Sequence, residues 1–174
     1  LKAAQKAYMA VEDGDTSDNL WYGWEVVPAY EVTLAVNKDG KPWTDHGRIL
    51  KLTKDNGSSF VDNLSSVLDG TYQIVDFTEN ADGINTGVTV EVNGSNVTSS
   101  PINYYTVTFY DGADNPYGTD TAQKPQIVLS GTNAAVPAEP QKSEYRFDGW
   151  KNDENGQTPF DFSAKITNTT GIYA

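Results

Sequence analysis

The chain has 174 residues, none of them Cys, and its 12 basic and 24 acidic side chains give a formal net charge of −12. Nucleic acid and anionic membranes are poor partners for so acidic a chain, because binding either normally requires a basic face. No apolar run approaches the roughly 20 residues that span a bilayer, and the lack of Cys excludes disulfides, thiolate nucleophiles and Cys-ligated zinc.

The composition favours β-structure. Aromatic residues are abundant beside Thr, Asn, Asp and Gly, so strand formers alternate with turn formers. We predict a mainly β protein in three parts: a lead-in over residues 1–29, an antiparallel β-sandwich over 30–104, and a small β-rich domain over 105–174. The sequence begins with Leu and its only Met is Met9, so we expect a piece of a longer chain.

The lead-in combines helix formers with a cluster of aromatic residues. Residues 1–11 are rich in Ala, Lys and Gln, which favours a short helix that is only marginally stable alone. After an acidic turn, residues 20–28 are predicted to be extended. We expect the rings of Trp21, Tyr22 and Trp24 to pack against a neighbouring domain or upstream residues; an exposed ligand platform is the alternative.

The second part carries regular strand and turn signals. Apolar residues alternate from Tyr30 to Val36, which predicts a half-buried strand, and the following Asp39-Gly40 pair predicts a tight turn. Further strands are predicted over about 48–53, from 70 to 75, over 88–92 and over 97–102. Strand signals at this spacing favour an antiparallel, immunoglobulin-like β-sandwich.

The order of these elements resembles a known kind of module. A strand, the turn over residues 39–42, and Phe60 and Leu64 before the segment 69–72 are similar to the prealbumin-like sandwich repeats of bacterial surface proteins, including the collagen-adhesin B-type family. In those relatives a first-strand Lys can form an isopeptide bond with an Asn on the last strand. Residues 30–37 contain no Lys, so we expect no such crosslink here.

The third part carries several unrelated motifs in a fixed order. A new alternating strand begins near residue 103, and the motifs that follow are Thr106–Phe109, Gly131, Pro137 with Pro140, Tyr145–Trp150, Pro159–Phe162 and Ile172–Ala174. Together they closely resemble the Listeria–Bacteroides repeat, the B-repeat of internalin-type surface proteins. The resemblance implies a β-grasp-like fold and a place on a bacterial cell surface. One departure is the pair Ser143-Glu144, where the family commonly has a Gly.

The same motifs predict the core of this third part. A domain of this size buries little surface, so a few large side chains must fill its interior. We assign that role to Tyr145, Phe147, Trp150, Phe160 and Phe162.

No set of residues in the sequence predicts catalysis. Asp45 and His46 are adjacent, but no nucleophile motif accompanies them, so His46 is expected to be a surface turn residue. The segment 13–18 is spaced like the start of a calcium loop, yet Asp18 stands where the loop needs Gly and Trp24 where it needs Glu. We therefore predict no enzyme activity, no cofactor and no metal site.

Two function hypotheses remain. The first is a non-catalytic stalk region that projects or supports the adhesive head of an extracellular protein, on the cell wall or cell surface of a Gram-positive-type bacterium. The short junction at 101–103 supports it. The alternative is an adhesin module that binds a host protein or glycan through an exposed aromatic face. The residues of that face are Trp21, Tyr22, Trp24 and Trp43. In both cases we expect a monomeric region without nucleic-acid partners or membrane insertion.

Overall fold

The computed structural model describes residues 2–10, 21–54, 57, 59–112, 115–116 and 124–174, and for 2–10, 21–26, 112 and 115–116 it describes the backbone alone. The strands in chain order are β1 (Lys2–Ala10), β2 (Trp21–Ala29), β3 (Val32–Thr33), β4 (Val36–Lys38), β5 (Lys41–Pro42), β6 (Leu50–Thr53), β7 (Gly70–Asp76), β8 (Ile84–Val92), β9 (Val97–Thr98), β10 (Ile102–Gly112), β11 (Asn115–Pro116), β12 (Gln126–Leu129) and β13 (Thr170–Tyr173). The described residues contain no helix, and the predicted mainly β class is confirmed.

The chain divides into two compact units. The N-terminal unit consists of Leu1–Ala35 and Gly47–Ser100, and the C-terminal unit of Val36–His46 and Pro101–Ala174. The part predicted over residues 30–104 therefore contributes residues to both units.

The predicted helix in the lead-in is wrong. Strands β1 and β2 pair antiparallel over their full length, from Lys2 opposite Ala29 to Ala10 opposite Trp21. A short isolated helix is marginal in water, whereas pairing gives every residue of β1 a partner on a strand rich in Trp, Tyr and Val, which favour β-structure. The extended conformation predicted after residue 20 is confirmed for β2.

The remaining strands of the N-terminal unit form two sheets. Strands β6, β7 and β8 make an antiparallel sheet in that order, and β3 pairs parallel with β9. Alternate residues of the three-stranded sheet point into the core. The apolar side chains that are at most 3% exposed on this sheet are Leu52, Tyr72, Ile74, Val90 and Val92.

Strand β10 is the centre of the C-terminal unit. Its residues 102–104 pair parallel with β4 and residues 107–110 pair parallel with β13, while residues 104–107 pair antiparallel with β12. Tyr104 pairs with both β4 and β12, and Val107 with both β12 and β13, so β4 and β13 share one edge of β10 and β12 lies on the other. Strand β5 extends the sheet beyond β4.

The core of the C-terminal unit is largely the predicted one. Trp150 is 6% exposed and belongs to a buried cluster with Phe109 and Ile172. Phe147, Phe160 and Phe162 are partly buried against this cluster.

The assignment of Tyr145 to the core is wrong, because its side chain is 73% exposed. Tyr145 directly follows a tight turn, and an exposed phenol keeps its hydroxyl in water.

Candidate functional site

Trp43 is the predicted ligand-binding residue whose side chain the structure describes. Its ring is half-buried and meets the rings of Tyr104 and His46 edge-on, each at 6.0 Å between centroids. The Nζ of Lys38 lies 5.1 Å from the centroid of the Trp43 ring, within the range of a cation–π contact. Trp43 is therefore packed into the C-terminal unit, and His46, expected to be a surface turn residue, is half-buried against it.

Other predicted sites lie outside the side chains that the structure describes. Trp21, Tyr22 and Trp24 belong to β2, of which only the backbone is described at these positions, so the aromatic face stays a prediction. The acidic segment 13–18 is also outside the described residues. In the described ranges no group of three or more His, Asp or Glu side chains is arranged to hold a metal ion.

A group of short side-chain hydrogen bonds in the described part of the C-terminal unit is centred on Asp39. Its backbone amide donates to the carbonyl of Tyr104 at 3.0 Å. Its carboxylate accepts a hydrogen bond from the Thr106 amide at 2.8 Å, from the Thr106 hydroxyl at 2.7 Å and from the Thr169 hydroxyl at 2.6 Å. We call Asp39, Thr106 and Thr169 the Asp39 clip.

The position of Asp39 follows from the turn that the sequence predicts. Asp39 and Gly40 both have positive φ, 52° and 77°, as the two central residues of a type I′ hairpin turn require. Asp tolerates this left-handed conformation better than most residues, and Gly adopts it freely. The turn places the carboxylate at the edge of β10, in the gap between β4 and β13.

The clip also changes the acidity of Asp39. Partial burial by itself raises the pKa of the carboxyl group, but the hydrogen bonds from Thr169 and Thr106 and the nearby charge of Lys38 lower it by more. The net effect is a pKa below the usual value of 3.8. These contacts therefore hold the group in its ionised form.

A groove lies beside the turn that precedes Trp150. It has a volume of about 390 Å³ and its lining includes Lys142, Tyr145, Arg146, Phe147, Asp148 and Lys151. We call it the Tyr145 groove. The groove was not predicted from the sequence, because Tyr145 was expected in the core. The basic residues on both sides of Tyr145 were a usable signal.

Residues 105–174 match the family model of the Listeria-Bacteroides repeat domain, which confirms that part of the prediction. This family comprises repeats of bacterial surface-associated proteins. The prealbumin-like character of residues 30–104 stays a prediction. No curated protein and no solved structure matches the chain. Within the described ranges there is no helix both long and apolar enough to cross a membrane.

Proposed function

We propose that this chain is a non-catalytic, load-bearing section of an extracellular stalk, which supports an adhesive head on the cell wall of a Gram-positive-type bacterium. The match of residues 105–174 to a surface-associated repeat supports the location. In this proposal a prealbumin-like sandwich lies within residues 30–104 and a β-grasp-like fold includes residues 105–174. A stalk must transmit tension along the chain without unfolding, so its strand order matters.

The parallel pairing of β10 with β13 carries the proposal. These are the first and last strands of the matched repeat, and they pair from Val107 opposite Thr170 to Tyr110 opposite Tyr173. Because the strands are parallel, the chain enters β10 at one end of the pair and leaves β13 at the other. Tension along the chain then slides the strands past each other and loads their backbone hydrogen bonds together.

The Asp39 clip reinforces this pair. Its carboxylate accepts one hydroxyl from Thr169, directly before β13, and both an amide and a hydroxyl from Thr106, directly before the paired part of β10. Hydrogen bonds to an ionised group are stronger than neutral ones. The clip therefore adds hydrogen bonds at the N-terminal end of the pair, and a sliding motion must break these as well.

The packing of Trp43 favours the stalk over the adhesive alternative. Its ring is engaged by Tyr104, His46 and Lys38, so it is poorly available for an external ligand. The rings of the other three residues of the proposed face stay untested.

Single-molecule pulling tests the load-bearing role, and the Cys-free chain allows unique attachment points. In the full chain, the variant with Ser100→Cys and Ala174→Cys is pulled through its two introduced thiols, which shears β10 against β13. The matched pair Ser100→Cys with Thr167→Cys pulls the same ends of the two strands and peels them apart. Forced unfolding follows the unfolding rate, so we expect a clearly higher unfolding force for the shear pair. Equal forces in the two geometries would contradict the proposal.

A further inference from the structure

An exposed aromatic ring stands at the entrance to the Tyr145 groove. The backbone amide of Tyr145 donates to the carbonyl of Lys142 at 3.2 Å and closes a turn in which Glu144 has a φ of 65°. A positive φ at the third turn position suits Gly and is uncommon for Glu. Such an unfavourable backbone conformation is found disproportionately at functional sites. Here it presents a ring that is 73% exposed.

Two basic residues close to Tyr145 in the chain line the same groove. The Nζ of Lys142 lies 5.1 Å from the centroid of the Tyr145 ring and donates a long hydrogen bond of 3.4 Å to the Asp111 carbonyl. Arg146 lines the groove, and its guanidinium makes no hydrogen bond or ion pair with any residue in the described part of the chain.

The third basic group of the groove is already engaged. The Nζ of Lys151 lies 3.5 Å from a carboxylate oxygen of Asp148. In a chain with a net charge of −12, this groove thus has three basic side chains in its lining beside the carboxylates of Asp111 and Asp148. Arg146 makes no ion pair in the described part of the chain, and Lys142 makes one long hydrogen bond that a ligand can replace. A guanidinium suits planar recognition of carboxylate and sulfate-like groups.

We propose that the Tyr145 groove binds short saccharides that carry a carboxylate or sulfate group. The sugar ring stacks on the Tyr145 ring, and its anionic group pairs with Arg146 and Lys142. The groove volume of about 390 Å³ is at the small end of the range for ligand pockets and fits roughly one or two sugar rings. This inference is independent of the load-bearing role.

A saccharide fits the groove better than an acidic peptide does. Extended peptides usually gain affinity by pairing with a free strand edge. At the groove wall, however, the amide and carbonyl of Lys151 already pair with Tyr173, at 2.7 and 3.0 Å. Recognition therefore rests on side chains, and a ring with one localised anionic group suits them. The acidic surface as a whole repels long polyanions.

Isothermal titration of the whole chain at physiological salt tests the inference. The probe is a chondroitin sulfate tetrasaccharide, and the comparison ligands are uncharged chitotetraose and tetraglutamate. We expect saturable binding of the sulfated probe, weaker binding of chitotetraose and weaker still of tetraglutamate. Binding of chitotetraose equal to that of the probe would refute the role of charge, and preferred binding of tetraglutamate would identify a peptide site instead.

Variants locate the site. Lys142→Gln with Arg146→Gln should weaken binding at least about tenfold. The pair Lys41→Gln with Lys124→Gln removes the same charge from exposed positions outside the groove and should preserve affinity. Tyr145→Ala should weaken binding while Tyr145→Phe retains it, because stacking needs the ring and not the hydroxyl.

The inference is overturned if the wild-type chain does not bind the probe, or if the groove variants bind as the wild type does. Because the three altered side chains are exposed, the variants should fold. Their thermal unfolding, followed by circular dichroism, checks that a lost affinity is not a lost fold.

Discussion

The carboxylate of Asp39 accepts hydrogen bonds from both the amide and the hydroxyl of Thr106, at 2.8 and 2.7 Å. On that edge of β10, β4 pairs up to Tyr104 and β13 pairs from Val107 onward. The amide of Thr106 thus lies between two strands, and a side chain supplies the acceptor that a strand would otherwise provide. A buried or half-buried backbone amide needs such a partner.

Asp39→Ala should destabilise the C-terminal unit by about 2–3 kcal/mol. The substitution removes the acceptor of three hydrogen bonds, and Ala tolerates the left-handed conformation at this position less well than Asp. Urea unfolding followed by Trp fluorescence gives the free energy of unfolding. Asp45→Ala is the matched control in the turn that follows this hairpin, since Asp45 is exposed, and should change stability by less than about 0.5 kcal/mol. Equal effects of the two substitutions would contradict the role of the clip.

The contribution of Asp39 to the free energy of unfolding should decrease as the pH falls. Partial burial raises the pKa of Asp39, but the hydrogen bonds from Thr169 and Thr106 and the charge of Lys38 lower it below the usual 3.8. A carboxyl group whose pKa is lower in the folded state stabilises that state above the unfolded pKa. The contribution is lost as the pH falls through the folded pKa.

The measurement is the difference in free energy of unfolding between the wild type and Asp39→Asn as a function of pH. This difference should be constant between about pH 7 and 5 and shrink below about pH 4. Asp39→Asn retains a residue that tolerates positive φ, so the comparison isolates the charge. A difference that grows on acidification, or stays constant down to about pH 2, would show that Asp39 has no lowered pKa.

Local signals predicted local features of this chain well. The Asp39-Gly40 pair identifies a tight turn from two residues, and alternating apolar residues identify the strand that contains Val107 and Phe109. The meeting of Asp39 with Thr106 was not predictable, because a hydrogen bond between side chain and backbone 67 residues apart leaves no periodic pattern in the sequence. The strand Lys2–Ala10 was not predicted for a related reason. It pairs with Trp21–Ala29, and the helix formers in its own sequence give no sign of that partner.

The burial of the aromatic residues of the repeat was also predictable only in part. Hydrophobicity predicts burial for Trp150 and the nearby Phe residues, but the sequence does not show that the turn at Glu144 directs Tyr145 outward. The backbone angles of a turn set the direction in which the next side chain points, and hydrophobicity carries no record of them. The core was therefore largely predictable, and the groove required the structure.

Trp150→Ala should be among the most damaging single substitutions in the C-terminal unit. The Trp150 side chain is 6% exposed and meets the rings of Phe109 and Phe147 edge-on, at 5.3 and 5.4 Å. Its removal leaves a large cavity, which typically costs about 3–5 kcal/mol. Thermal unfolding should show a large fall in midpoint. The exposed Tyr145 is the control, since Tyr145→Ala should cost less than about 1 kcal/mol. Similar losses for both would mean that the two rings are equally buried.

Glu144→Gly should stabilise the C-terminal unit. Asp39 and Glu144 are the non-Gly residues with positive φ in the described part of the chain, and Glu lacks the short side chain that makes this conformation acceptable for Asp. Relief of the left-handed strain is worth about 1–2 kcal/mol, and the greater chain entropy of Gly in the unfolded state offsets about half of it. A net gain of about 0.5–1 kcal/mol in urea unfolding is expected.

Ser143→Gly is the control for this substitution. Ser143 has no positive φ, so its replacement by Gly should lower the free energy of unfolding by about 0.5–1 kcal/mol. The two neighbouring substitutions should therefore change the free energy of unfolding in opposite directions. A general effect of Gly on the turn would change it in the same direction for both. A destabilising Glu144→Gly would show that the Glu side chain does more for the fold than its backbone conformation costs. Gly can adopt the same φ, so the variant should also keep Tyr145 exposed beside Lys142 and retain saccharide binding.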